Sequence, residues 1–97
     1  MAGWILESSG EPPIVLRLPP GSVKTVGRTV RADFIIDAPL VSRLHCRLTA
    51  DKTDQFVVED LRSTNGILVN GERVERAVLR NGDLLTIGRV VLTVKQG

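Results

Sequence analysis

The chain is divided into short apolar runs separated by turn residues, and none of these runs has a helical period. The apolar residues are mostly Val, Ile and Leu, with more β-branched residues than Leu, which favours sheet over helix. Short runs of this kind, bounded by Gly, Pro, Asn and Ser, are typical of an all-β sandwich. The clearest boundaries are Ser8–Pro13, Pro19–Gly21, Asn70-Gly71 and Asn81–Asp83.

Roughly ten short strands are predicted from the apolar runs and the turns between them. Residues 45–50 show the alternation best, because Cys46 and Leu48 face one side and His45 and Arg47 the other. Cys46 is therefore expected to be a small buried apolar residue. The strands are predicted at Trp4–Glu7, Ile14–Leu18, Lys24–Gly27, Phe34–Asp37, His45–Ala50, Gln55–Leu61, Ile67–Val69, Arg73–Val74, Val78–Arg80, Leu84–Ile87 and Val90–Lys95.

Length and composition narrow the class of protein. Ninety-seven residues suit one domain, which we expect to be cut from a longer protein, a free-standing small protein being the alternative. A single cysteine forms no internal disulfide, and the apolar runs are too short for a membrane span. No charged-then-apolar leader opens the chain. We therefore expect an intracellular, soluble monomer without membrane contact.

Three short segments carry residues suited to a phosphate group. They are Gly27-Arg28, the Ser42-Arg43 pair that precedes His45, and the turn Ser63-Thr64-Asn65-Gly66. A phosphate monoester carries about −1.5 to −2 charge and three strong acceptor oxygens. Guanidinium groups, short hydroxyls and backbone N–H groups are the donors that suit it, and an Asn amide bonds a peptide main chain through both donor and acceptor.

Together, and in this order, these segments resemble the forkhead-associated (FHA) domain. Asn70-Gly71, Gly82-Asp83 and Gly88 extend the resemblance along nearly the whole chain. The resemblance implies an eleven-stranded β-sandwich of two twisted sheets with the binding loops at one end. It also implies recognition of phosphothreonine in partner proteins, or in the domain's own parent chain, for the assembly of signalling complexes, without catalysis and without a cofactor.

The resemblance also implies a role for individual residues. Arg28, Ser42, Arg43 and Thr64 are expected to contact the phosphate, and Asn65 the peptide main chain. Gly27, His45 and Gly66 are expected to support the loops. Leu40 stands where some relatives carry an arginine that selects an acidic residue three places after the phosphothreonine, so we expect an apolar preference there.

Other classes fit the sequence less well. The chain has one histidine and lacks the G-x-x-x-x-G-K-[ST] motif, so an enzyme is not expected. Adjacent residues on a strand point to opposite faces, which makes His45 and Cys46 a poor metal site. A nucleic-acid binder is the alternative that the net charge of +2 leaves open, although no basic stripe or aromatic pair supports it. A phosphate-independent docking surface on the same fold is a third possibility.

Overall fold

The computed structural model describes residues 3–97, so the first two residues of the predicted domain lie outside it. The described chain consists of strands and turns, which confirms the predicted all-β class and the eleven strands that the family resemblance implied. The strands are β1 Trp4–Ser8, β2 Val15–Leu18, β3 Ser22–Gly27, β4 Phe34–Ile35, β5 Cys46–Ala50, β6 Phe56–Asp60, β7 Ile67–Val69, β8 Glu72–Val74, β9 Arg76–Leu79, β10 Leu84–Ile87 and β11 Val90–Gln96.

The strands form two sheets that pack face to face as a sandwich. One sheet has six strands in the order β2-β1-β11-β10-β7-β8, and the other has five in the order β4-β3-β5-β6-β9. Every pairing is antiparallel except that of β4 with β3. The asparagine of Asn70-Gly71 has a φ of 52° and the glycine 86°, as the tight turn between β7 and β8 requires.

The core follows from the alternation of side chains along the strands. Leu48 on β5 lies opposite Val58 on β6, and both side chains are fully buried between the sheets. One residue earlier on β5, Arg47 points outward and pairs with Glu59 at 2.7 Å. At one end of the core, Trp4 stacks on Phe56 with ring centroids 5.1 Å apart. Burying one such large apolar side chain stabilises the fold by about 1.5 to 3 kcal/mol.

Most predicted strands differ from the observed ones by one or two residues at an end, and two of these differences have a clear structural cause. β4 ends at Ile35 rather than Asp37, because β3 offers it only two partners before ending at Gly27. β5 begins at Cys46, and His45 precedes the strand with a fully buried side chain instead of lying on the outer face with Arg47. Cys46 is buried as expected.

The strand register brings three connecting loops to one end of the sandwich. Val26 at the end of β3 lies beside Cys46 at the start of β5, and Cys46 lies beside Asp60 at the end of β6. The β3–β4 segment, the β4–β5 segment and the β6–β7 segment therefore meet at this end. No helix among residues 3–97 has the length and apolar character needed to cross a membrane.

Candidate functional site

Gly27 and Arg28 connect the end of β3 to the β4–β5 loop. Gly27 is buried so tightly that an added Cβ would stand 2.0 Å from the carbonyl oxygen of Arg43. The backbone N–H of Arg28 donates to the carbonyl of Ser42 (2.9 Å), and its side-chain Nε donates to the carbonyl of Val41 (2.8 Å). The guanidinium is thus oriented through Nε. Its two terminal amino groups have no partner among residues 3–97, and the side chain is exposed.

His45 connects the β4–β5 loop, the β6–β7 loop and the end of β3 from a fully buried position. Its Nδ1 accepts a hydrogen bond from the backbone N–H of Ser42 (3.0 Å), so the ring is neutral and carries its proton on Nε2. That Nε2–H donates to the carbonyl of Gly66 at 2.7 Å. The His45 backbone N–H donates to Val26 and its carbonyl accepts from Leu61.

Replacing His45 by alanine is expected to lower stability more than it alters any single ligand contact. The substitution leaves the Ser42 N–H and the Gly66 carbonyl without partners in a buried position, which costs about 1 to 3 kcal/mol of unfolding free energy. Thermal unfolding measures the loss, and His45→Gln is the matched variant because its amide both donates and accepts. A His45→Ala protein with the wild-type melting temperature but no phosphopeptide binding would instead make His45 a direct ligand.

The turn after β6 is fixed by its own serine. The Ser63 hydroxyl donates to Asp60 Oδ1 (2.5 Å) and accepts the backbone N–H of Gly66 (2.8 Å). Ser63 therefore holds the turn together and its hydroxyl is engaged there. Gly66 has a φ of 74°, a left-handed conformation that favours glycine.

The structure brings Thr64 and Asn65 against the β4–β5 loop. The backbone N–H of Thr64 donates to the Ser42 hydroxyl oxygen (3.0 Å), which leaves the hydroxyl hydrogen of Ser42 available to a ligand. The Asn65 amide donates to the carbonyl of Leu40 (3.1 Å). The side chains of Thr64 and Asn65 are exposed, as is Arg43, whose guanidinium has no hydrogen-bond or ion-pair partner within residues 3–97.

Four contributors to this region were not apparent from the sequence. They are the Val41 carbonyl that orients Arg28, the Asp60 carboxylate that anchors Ser63, the Leu40 backbone packed on Gly88, and the Arg73 side chain packed on Gly66. Gly66 and Gly88 belong to the motif, and a motif glycine was the only sequence signal of a close contact at either position. The Val41 contact uses a backbone carbonyl, and no sequence motif pairs Asp60 with Ser63.

Neither metal chemistry nor thiol chemistry is favoured in the described part of the chain. Residues 3–97 contain no group of three or more His, Cys, Asp or Glu side chains arranged to hold a metal ion. Burial, with a smaller contribution from the charge of Asp60, raises the pKa of the Cys46 thiol to about 12. The Cys46 sulfur is therefore an inert part of the core.

The fold and the loops define a class of protein: a β-sandwich with a rim of exposed arginines, hydroxyls and one amide at one end. Such a rim suits an anion with several acceptor oxygens. Comparison with known proteins gives the family. The sequence pattern of the FHA domain matches residues 24–88, so the chain belongs to the FHA domain family. Members of this family are non-catalytic modules that bind phosphothreonine peptides.

Individual relatives agree with this assignment. The chain is 43% identical over 82 residues to the ABC transporter ATP-binding/permease protein Rv1747 of Mycobacterium tuberculosis, covering 82% of this chain and 9% of the transporter. A structure solved in a study of phosphothreonine-dependent FHA domain interactions is 27% identical, with a TM-score of 0.87 and coverage of 100% and 98% of the two chains.

A third match is Mycobacterium tuberculosis EmbR in complex with a low-affinity phosphopeptide. It is 26% identical, with a TM-score of 0.79 and coverage of 97% of this chain and 24% of EmbR. The chain spans less than half the length of the first curated relatives it matches, between 9% and 46%. What is similar is therefore the domain, and not the whole of each relative.

Proposed function

We propose that this chain binds phosphothreonine-containing segments of partner proteins at the three-loop end of the sandwich. In this proposal Arg28, Ser42, Arg43 and Thr64 contact the phosphate, and Asn65 holds the peptide main chain. Gly27, His45 and Gly66 support the loops that carry them.

The orientation of Arg28 is the observation that carries the proposal. Its Nε is engaged by Val41, which fixes the guanidinium plane and leaves the terminal amino groups for a ligand. A pre-oriented guanidinium loses less side-chain entropy on binding, and the fork of N–H groups suits phosphate oxygens. The Ser42 hydroxyl lies on the same loop as Val41, three residues before His45, and it keeps its hydrogen available for a ligand.

The proposal assigns no catalysis to the chain. The only histidine in the sequence is buried with both ring nitrogens hydrogen-bonded, so it is not placed to act as a general base. A concavity of about 510 Å³ lies at the opposite end, near Trp4 and Phe56, away from Arg28 and Arg43. We propose that the domain acts inside the cell, because protein kinases draw on intracellular ATP. We also propose that it acts as a monomer without cofactor, nucleic acid or membrane.

A matched set of peptides tests the proposed function. We expect a phosphothreonine peptide to bind in isothermal titration, its unphosphorylated form not to bind, and the phosphoserine form to bind roughly tenfold more weakly. In this proposal the threonine γ-methyl group enters a small apolar notch between the loops, where its burial contributes about 0.8 kcal/mol, and leaving that space empty in the serine complex adds to the difference. With Asp, Ile or Ala three places after the phosphothreonine, we expect Ile to bind best, because Leu40 exposes 45% of its surface beside Asn65.

An oligonucleotide titrated at two salt concentrations is the control. Affinity for nucleic acid falls steeply with salt when several phosphates are contacted. Salt-sensitive oligonucleotide binding together with no phosphopeptide binding would replace the proposal by the nucleic-acid alternative. Equal binding of phosphorylated and unphosphorylated peptide would make the domain a phosphate-independent docking surface.

A further inference from the structure

The guanidinium of Arg73 covers the backbone of Gly66 at the edge of the candidate site. A Cβ added to Gly66 would stand 2.6 Å from Arg73 Nε and 2.8 Å from its Cζ, so the guanidinium occupies the space that a side chain at this position would fill. Arg73 is exposed. Its side chain takes part in neither of the two ion pairs nor in any side-chain hydrogen bond formed among residues 3–97. Its N–H donors are therefore free for a ligand.

The position of Arg73 is fixed by the sheet and by the loop together. Arg73 pairs with Leu68 across β7 and β8, and its neighbour Val74 packs on the core, so Arg73 points to the outer face. The Gly66 backbone beneath it is held on both sides, its N–H by Ser63 and its carbonyl by His45. The loop backbone on which the Arg73 guanidinium packs is therefore held in place by hydrogen bonds.

Arg73 contacts the β6–β7 loop one residue beyond the proposed ligand contacts. Thr64 and Asn65 are the residues proposed to meet the phosphate and the peptide main chain, and Gly66, which Arg73 covers, comes next. In the proposed function the peptide main chain lies at Asn65, so a cation beside the next residue is a candidate to contact the residues that flank the phosphothreonine. The Asn65 amide donates to the carbonyl of Leu40, and the Leu40 side chain is apolar and exposed. The surroundings of Asn65 and Gly66 thus offer one apolar and one cationic side chain.

We propose that Arg73 is a specificity-determining residue that selects an acidic side chain next to the phosphothreonine. The proposal rests on the proposed function, since it names a feature of the same peptide. The ligand group is a carboxylate, which the planar fork of arginine bonds through two parallel N–H groups. The peptide that fits this rim carries an apolar residue toward Leu40 and an Asp or Glu toward Arg73.

An aspartate scan tests the proposal. The parent probe is a phosphothreonine peptide with alanine at every flanking position, and each flanking position in turn is changed to Asp or to Asn. Affinities are measured for the wild type, Arg73→Gln, Arg73→Lys and Arg80→Gln. Arg80→Gln is the matched control, because it removes the same charge as Arg73→Gln. Arg80 is exposed and follows β9 at the opposite end of the sandwich.

We expect Asp, but not Asn, to tighten wild-type binding by about fivefold at one flanking position, as a partly exposed ion pair does. Arg73→Gln should abolish this gain, Arg73→Lys should retain part of it, and Arg80→Gln should leave it unchanged. Melting temperatures of the variants identify any loss of fold, and Arg73→Lys keeps the test valid if Arg73→Gln is destabilised.

Other outcomes overturn the inference. A gain from Asp that survives Arg73→Gln, or no gain at any position, shows that Arg73 reads no acid. Equal weakening of every peptide by Arg73→Gln makes Arg73 a structural cover of Gly66 only. A gain lost equally in Arg80→Gln is a long-range charge effect. Failure of the proposed function is a separate result, because then the wild type does not bind the alanine-flanked parent peptide.

Discussion

Replacing Arg28 by alanine is expected to lower phosphopeptide affinity at least tenfold while the melting temperature stays close to that of the wild type. A hydrogen bond to a charged group contributes roughly 1.5 to 3 kcal/mol, and a bidentate contact to phosphate contributes more. Each 1.4 kcal/mol corresponds to a factor of ten in affinity. The fold loses little, because the side chain is exposed and gives up one hydrogen bond, that to the Val41 carbonyl.

Two variants sharpen this experiment. Arg31→Ala removes another exposed arginine from the same β3–β4 segment and is expected to change affinity little. Arg28→Lys keeps the charge but loses both the fork and the Nε bond that orients it, so it should fall between the wild type and Arg28→Ala. Unchanged affinity of Arg28→Ala in isothermal titration would remove Arg28 from the phosphate site.

The strand plan was predictable because its determinants are local. Alternating burial along β5, the breaks at Pro19 and Pro20 and the Asn70-Gly71 turn each act over a few residues. The length of β4 was not predictable in this way. Residues 34–37 have an apolar start that looks like a longer strand, yet β3 ends at Gly27 and leaves the following residues without a partner strand.

His45 shows how tertiary contacts override a local pattern. Period-two alternation placed it on the same face as Arg47, and the family resemblance gave it a supporting role for the loops. The structure buries its ring between the β4–β5 and β6–β7 loops. Alternation describes a residue only within a strand, and β5 starts one residue later. The two ring partners, Ser42 and Gly66, lie on different loops, so no neighbouring residue in the sequence marks that burial.

The candidate site was predictable as a set of residue types and much less so as geometry. The motif names Arg28, Ser42 and Thr64, and the structure brings their loops together through backbone hydrogen bonds. What orients Arg28 is a backbone carbonyl, which every residue possesses and no sequence pattern distinguishes. Arg73 reaches Gly66 from a strand later in the chain, a contact that depends on the β7–β8 register.

Replacing Gly27 by alanine is expected to damage both the fold and phosphopeptide binding. The added Cβ would stand 2.0 Å from the Arg43 carbonyl oxygen and 2.8 Å from its carbonyl carbon, and backbone atoms yield less readily than the end of a side chain. The loop has little freedom to move away, because the Arg28 N–H is bonded to Ser42 and the His45 N–H to Val26. Overpacking of a tight interior typically costs about 1 to 3 kcal/mol, and this contact belongs at the upper end of that range.

For a domain of this size, a loss of about 3 kcal/mol lowers the melting temperature by roughly 10 to 20 °C. Binding should weaken as well, even at a temperature where the variant is folded, because the loop that must shift carries Ser42 and Arg43. Gly10→Ala is the matched control, since its Cβ would have no neighbour closer than 3.8 Å, and it is expected to melt like the wild type. If Gly27→Ala also melts like the wild type and binds normally, the β4–β5 loop moves freely away from β3, and the rigid frame inferred for Arg28 is wrong.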